Sequence, residues 1–157
     1  MNTDLERIDA LCRHIENVQR NCRLLGEKLI EKGDVVTGKM LIANGLMHDQ
    51  SKFYGIEWDL LIAKLKPGPE AKMAVQHHAR SNPHHPEYWQ RIQSMPRVYV
   101  AEMVCDWKAR ASEFGTSLQK WIEESLKRYG YTAKEPVYVQ IQEFVELLCD
   151  PAFSNLT

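Results

Sequence analysis

Apolar residues recur along this chain at steps of three and four almost from end to end, the spacing that lines one face of an α-helix. Leu11, His14, Val18, Cys22, Leu25 and Leu29 form the longest such stripe, which starts after a cap at Thr3 or Asp4 and ends near Gly33. A second helix starts between Asp34 and Thr37 and carries Met40, Leu41 and Leu46 into His48-Asp49. A third, Ile56 to Leu65, is stopped by Lys66-Pro67-Gly68-Pro69, and a fourth, Glu70 to Arg80, ends in the loop Asn82-Pro83-His84-His85-Pro86. Pro96 opens the next helix, which carries Val98, Met103, Val104, Trp107 and Ala111 toward Gly115. Helices over Ser117 to Tyr129 and Val137 to Leu148 follow, separated by Gly130 and Pro136. Tyr99-Val100 and Val137-Tyr138-Val139 have β character but no alternating partners nearby. No repeat, low-complexity tract or linker divides the chain, so residues 1–157 are expected to form one all-α domain, a compact bundle of six to seven helices.

Composition narrows the function classes without choosing one. A chain of 157 residues is large enough to bury a hydrophobic core. Its net charge of -1, with no basic block, argues against sequence-independent DNA or RNA binding, which needs a cationic face. Apolar runs such as Leu60-Leu61-Ile62-Ala63 are far too short to span a bilayer. The polar N-terminus is unlike a secretory signal, and a cytoplasmic location is expected. Cys12, Cys22, Cys105 and Cys149 have neither zinc-finger nor redox spacing and are expected to be reduced and buried.

The histidines change the picture. Five of the six fall between residues 48 and 85, as His48-Asp49, His77-His78 and His84-His85. Imidazole and carboxylate are the usual ligands of catalytic divalent metals, and a packed core has no use for so many adjacent titratable rings. Pro83 and Pro86 bracket the last pair and stiffen its loop. His14 lies on the apolar stripe of the first helix and should point inward, as a ligand or as a core histidine bonded to a carbonyl or carboxylate. At the end of the second helix, His48 and Asp49 can turn toward one point. Lys52, three residues on, can place an ammonium there to suit a phosphoryl oxygen. Asp106, flanked by Cys105 and Trp107, borders a buried face. It is costly to bury without a partner, which a metal, Lys108, Arg110 or a helix cap would supply. Tyr88-Trp89 and Trp107 suit either stacking on a nucleobase or core packing.

The order His14, His48-Asp49, Asp106 on successive helices resembles the HD-domain superfamily of metal-dependent phosphohydrolases. The strings His48-Asp49-Gln50-Ser51-Lys52-Phe53, Asn82-Pro83-His84-His85-Pro86-Glu87-Tyr88-Trp89 and Glu102-Met103-Val104-Cys105-Asp106-Trp107 resemble, more narrowly, a small HD-like family of bacteria and phages. That resemblance covers roughly His14 to Phe114. It implies an HD-like helical bundle in which His14, His48, Asp49 and Asp106 hold a first divalent ion. His78 and His85 would join a second, while His77 and His84 face substrate or solvent. The chain lacks the Gly-Tyr-Pro string of the cyclic-dinucleotide branch, which argues against such a substrate.

The chemistry implied is hydrolysis of a phosphoester, of a nucleotide or a similar small phosphorylated metabolite, by a metal-activated water. Lys52 would neutralise developing charge, Asp49 would bridge two ions where both sites fill, and His77 or His84 would protonate the leaving oxygen. Arg80, Trp89 and Lys108 are further candidates for holding the substrate. One or two ions are expected, and histidine with carboxylate suits Mn, Fe, Zn, Co, Ni or Mg alike. The same ligand set serves di-iron oxygenases in HD-like folds, and a non-enzymatic module with a regulatory metal is the third reading. Helical HD domains often pair through exposed faces, so the resemblance admits a homodimer.

Overall fold

In the computed structural model, which describes residues 5–63 and 68–149, every regular element is helical. The order is α1 (Glu6–Glu31), α2 (Val35–Met47), α3 (Gly55–Glu57), α4 (Ala71–Ser81), α5 (Arg97–Glu113), α6 (Leu118–Tyr129) and α7 (Pro136–Cys149). Short 3-10 turns occupy Gln50–Phe53, Pro86–Trp89 and Ile92–Ser94. The expected third helix is different in kind: after one α turn it widens into a π turn over Trp58–Ile62. Its expected continuation through Leu65 and stop at Lys66-Pro67 lie outside the described residues, as does a cap at Thr3 or Asp4. The segments with β character, Tyr99-Val100 and Val137-Tyr138-Val139, are helical, inside α5 and α7. No helix among the described residues is long and apolar enough to cross a membrane.

The stripe read along α1 is buried without exception, Leu11 through Leu29. α5 is the centre of the molecule: Val100, Ala101, Val104 and Cys105 are fully enclosed, and α1, α2, α6 and α7 pack around them. Of the apolar residues expected inward on α2, Leu41 is buried, but Met40 and Leu46 face solvent. α2 lies so close to α1 that its inner face has no room for them. A Cβ built on Gly38 would lie 2.4 Å from the Gly26 carbonyl oxygen, and one on Gly45 would lie 2.7 Å from Cys22 Cβ. Glycine allows these backbones to touch, and the close crossing delivers the end of α2 to the middle of α1.

α7 closes the far side. Two lysines donate to carbonyls of its last described turn: Lys28 Nζ to that of Leu147 at 2.5 Å and Lys108 Nζ to that of Leu148 at 2.6 Å. Lys108, considered above as a phosphate ligand, is thus committed to the fold. It sits two residues from Asp106, about 200° round the helix and on its other side. Cys22 and Cys105 are buried as expected, whereas Cys12 is only partly buried and Cys149 is exposed; all four cysteines are free thiols.

Candidate metal centre

Four helices and one loop deliver side chains to one buried point. α1 contributes His14 from its apolar face, and α5 contributes Asp106 from the face that meets it. α2 ends at His48, whose ψ of 133° takes the chain out of the helix, and Asp49 follows in the left-handed region at φ 58°. That conformation is uncommon for a residue with a Cβ, and aspartate tolerates it better than most. It turns the Asp49 carboxylate back beneath His48. The last turn of α4 provides His78, and the proline-stiffened loop after it provides His84 and His85.

Asp49 is the hub. Its Oδ1 lies 3.1 Å from His78 Nε2 and 3.6 Å from the Nε2 atoms of both His48 and His84. Its Oδ2 faces His14 Nε2 at 3.6 Å and accepts from Lys52 Nζ at 2.5 Å. Asp106 Oδ1 is 3.1 Å from His14 Nε2 and 4.0 Å from His48 Nε2. His14, His48, Asp49 and His84 are each no more than 3% exposed. Three sets of ligand atoms draw within 4.8 Å of one another: His14, His48 and Asp49; His48, His84 and Asp106; His78, His84 and His85.

The far sides of these rings explain their orientation. Glu113 Oε1 accepts from His14 Nδ1 at 3.0 Å, Glu102 Oε1 from His48 Nδ1 at 3.0 Å, and Glu57 Oε2 from His78 Nδ1 at 2.7 Å. His84 Nδ1 stands 3.4 Å from the same Glu102 oxygen. An ionised carboxylate only accepts hydrogen bonds, so each of these Nδ1 atoms carries the hydrogen, and in the neutral ring Nε2 is left with a lone pair aimed at the centre. Such lone pairs then face carboxylate oxygens at 3.1–4.0 Å with no hydrogen between them. His14 Nε2, His48 Nε2, Asp49 Oδ1, His84 Nε2, His85 Nε2 and Asp106 Oδ1 are all buried with no hydrogen-bond partner among the described residues. Acceptors converging in this way repel one another unless a cation sits among them, and carboxylates behind ligating imidazoles are the usual support of a metal site. The donor set fits a divalent ion.

Protonation follows the same geometry. Burial would hold His48 neutral, but Asp49, Glu102 and Asp106 outweigh it and raise its pKa. Burial opposes ionisation of Asp49, yet the charges of His48 and Lys52 hold that carboxyl well below the usual range. Asp106 is likewise held low, against its burial, by the neighbouring imidazoles of His14, His48 and His84. Burial also works against Glu102, which the bonds from His48 and His84 bring down to about 2. His85 is pushed down to about 2 by burial and by the adjacent His84 and His78, which keeps it neutral and able to ligate.

The expected first-metal set, His14, His48, Asp49 and Asp106, thus converges, with His78 and His85 beside it. His84 departs from expectation: it does not face substrate or solvent but lies inside, shared between two of the three ligand groupings. The turn at Pro83–Pro86 drives both members of the pair inward, with ring centroids 4.3 Å apart. His77 is half exposed and bonds to the other oxygen of Glu57, with Nδ1 to Oε1 at 2.9 Å, outside the cluster. Adjacent helical residues diverge by about 100°, and only His78 reaches the centre. Arg80, two residues beyond His78, is exposed on the other face of α4. The Trp89 ring packs against the core beside Tyr99, with Nε1 donating to the Pro83 carbonyl at 2.7 Å, so it braces the histidine loop and is not a stacking surface. Glu87 accepts from Arg128 and Tyr129 of α6.

Sequence reasoning missed Glu57, Glu102 and Glu113. A signal existed for two of them: Glu102, Asp106 and Glu113 share one side of α5, a polar stripe on a helix otherwise almost wholly buried. A family model described as a family of unknown function (DUF5662) matches residues 3–151. No curated protein and no solved structure matches the chain.

Proposed function

The chain belongs to DUF5662, a family of unknown function, and from its own site we propose that it is a metal-dependent phosphohydrolase of HD type acting on a small phosphorylated substrate. The observation that carries the proposal is the convergence of six partnerless buried acceptors, on His14, His48, Asp49, His84, His85 and Asp106, beside one ammonium, Lys52. Two supports stand beside it: the resemblance of the His48-Asp49 and Asp106 strings to HD-domain phosphohydrolases, and the carboxylates behind His14, His48 and His78.

His14, His48, Asp49 and Asp106 would hold a first divalent ion, with His78, His84 and His85 available to a second. Bound there, the metal would supply Lewis acidity and a water acidic enough to ionise near neutral pH. The chain's own residues do the rest. Asp49 stands between the two groups, one oxygen toward each. Lys52, held against Asp49 and largely buried, is placed to neutralise charge on a phosphoryl oxygen. Glu57, Glu102 and Glu113 keep the imidazoles turned and in the right tautomer.

The test is phosphate release from a panel of phosphomonoesters and nucleotides by protein loaded with Mn²⁺ or Co²⁺. The hydrolase reading expects turnover that disappears in Asp49→Ala, which should stay folded with reduced metal content. Lys52→Met should keep its metal and lose at least about a hundredfold in rate, the scale of removing one charge-stabilising donor. Lack of phosphate release with every metal, or a coloured iron protein turning over only with O₂, would overturn it.

A further inference from the structure

Beside the metal cluster lies a cavity of about 220 Å³ formed by α1, the π turn and the end of α5. Its polar lining is cationic: Arg7, Lys52 and Arg110. Its remaining walls are Ala10, Leu11, Leu61 and Ile62. Two of the cations connect it directly to the cluster. Lys52 Nζ bonds to Asp49 Oδ2 at 2.5 Å, and Arg110 Nε lies 4.0 Å from Asp106 Oδ1. Ala10 and Leu11 are one helical turn before His14. By contrast, the cavity lined by His48, Asp49 and His84 themselves, with Asn44, Asn82, Tyr99 and Glu102, includes no arginine or lysine among the described residues.

Resting on the hydrolase reading, we infer that the Arg7–Lys52–Arg110 cavity is the substrate pocket, and that it takes a small phosphomonoester with a compact apolar or aromatic body. Lys52 and Arg110 offer hydrogen-bond donors to a dianion where the cavity meets Asp49 and Asp106, Arg7 adds a guanidinium at the pocket edge, and arginine matches phosphate with a two-pronged fork. Pockets for drug-sized ligands run from about 300 Å³ upward, so this one suits a single ring or short chain and excludes a dinucleotide. Leu11, Leu61 and Ile62 give that body an apolar wall with no polar side chain to satisfy.

Arg7 is positioned by the π turn. Its Nη1 donates to the Leu61 carbonyl at 2.8 Å, which fixes the guanidinium at the pocket edge. The widened turn has a purpose here: it carries Leu61 and Ile62 to the same wall and offers a carbonyl to hold the arginine. Arg110 is oriented by Glu113, with Nη1 donating to Oε2 at 3.1 Å, and Glu113 in turn holds His14. The pocket and the first metal position therefore share a support.

The experiment uses the metal-free protein in chelator and reads equilibrium binding by calorimetry or amide chemical shifts. The probes are phenyl phosphate, inorganic phosphate and phenol. Phenyl phosphate should bind at least tenfold more tightly than either fragment. Arg7→Met should weaken it about tenfold, and Arg7→Lys should recover much of that loss, which a purely structural role for the arginine would not allow. Ile62→Ser should weaken phenyl phosphate and leave inorganic phosphate unchanged; melting temperatures near wild type confirm that each variant folds. Equal affinity for phenyl and inorganic phosphate, or unchanged binding in Arg7→Met, would overturn the pocket. Turnover by loaded enzyme without this binding pattern would sink the pocket and spare the hydrolase. The pattern in a protein that takes up no metal would do the reverse.

Discussion

At the scale of single residues the centre is a set of imidazoles whose direction is decided from behind. Glu102 serves two of them, so Glu102→Gln should lower metal affinity about 10–100-fold without touching a ligand, readable by competition with a chromogenic chelator. Among the imidazoles of the cluster Glu57→Gln should act on His78 alone and weaken only a second ion. The same glutamate sets an acid limit for the metal-free protein. Its folded-state pKa of about 2 lies below the ordinary 4.5, so its contribution is fully present above pH 4.5 and is lost as the pH falls toward 2. Over that interval it amounts to about 3 kcal/mol. Chemical denaturation of metal-free protein between pH 5 and 2 should show that loss, and Glu102→Gln should flatten it. These glutamates were hard to read from sequence for a physical reason. Carboxylates are common on helix surfaces, and only the tertiary approach of α1, α2 and α4 shows which of them are buried behind a histidine. His14 and Asp106 could be read because helical periodicity alone placed them at or beside a buried face.

At the scale of elements, the site depends on how closely α1 and α2 cross. Gly38→Ala would press a methyl group against the Gly26 carbonyl, a backbone atom that cannot rotate away. Overpacking of this kind costs about 1–3 kcal/mol, and it should also reduce metal uptake, because His48 is carried away from His14. Thermal unfolding and metal titration of the same variant measure both effects. The helix boundaries of α1, α4, α5, α6 and α7 followed from apolar spacing, capping glycines and prolines. What spacing did not reveal was the π turn at Trp58–Ile62 or the solvent-facing side of α2. Both depend on neighbours: Arg7 binding a carbonyl in one case, and glycine-mediated contact in the other. For the same reason the candidate substrate residues shifted from Arg80, Trp89 and Lys108 to Arg7 and Arg110. Charge type can be read in a sequence, but which charges share a cavity depends on the packing of α1 against the π turn and α5.

At the scale of the whole molecule, the core and the site pull against each other. α5 is buried along most of its length, yet it bears Glu102 and Asp106 near its middle. Together with Asp49 these carboxylates draw protons onto His48 when no cation is present. Loading should therefore release protons and become weaker as the pH falls toward the histidine range near 6.5. An ion that binds only the folded chain also stabilises it, by about 2.7 kcal/mol at a hundredfold excess over its dissociation constant. The most direct measurement is elemental analysis of the protein purified without added metal, paired with its melting temperature before and after chelation. The account predicts one to two equivalents of a divalent transition metal, a fall of several degrees on chelation, and loss of both in Asp49→Ala. Metal-free protein whose melting temperature does not move when Mn²⁺, Fe²⁺, Co²⁺ or Zn²⁺ is added would contradict it.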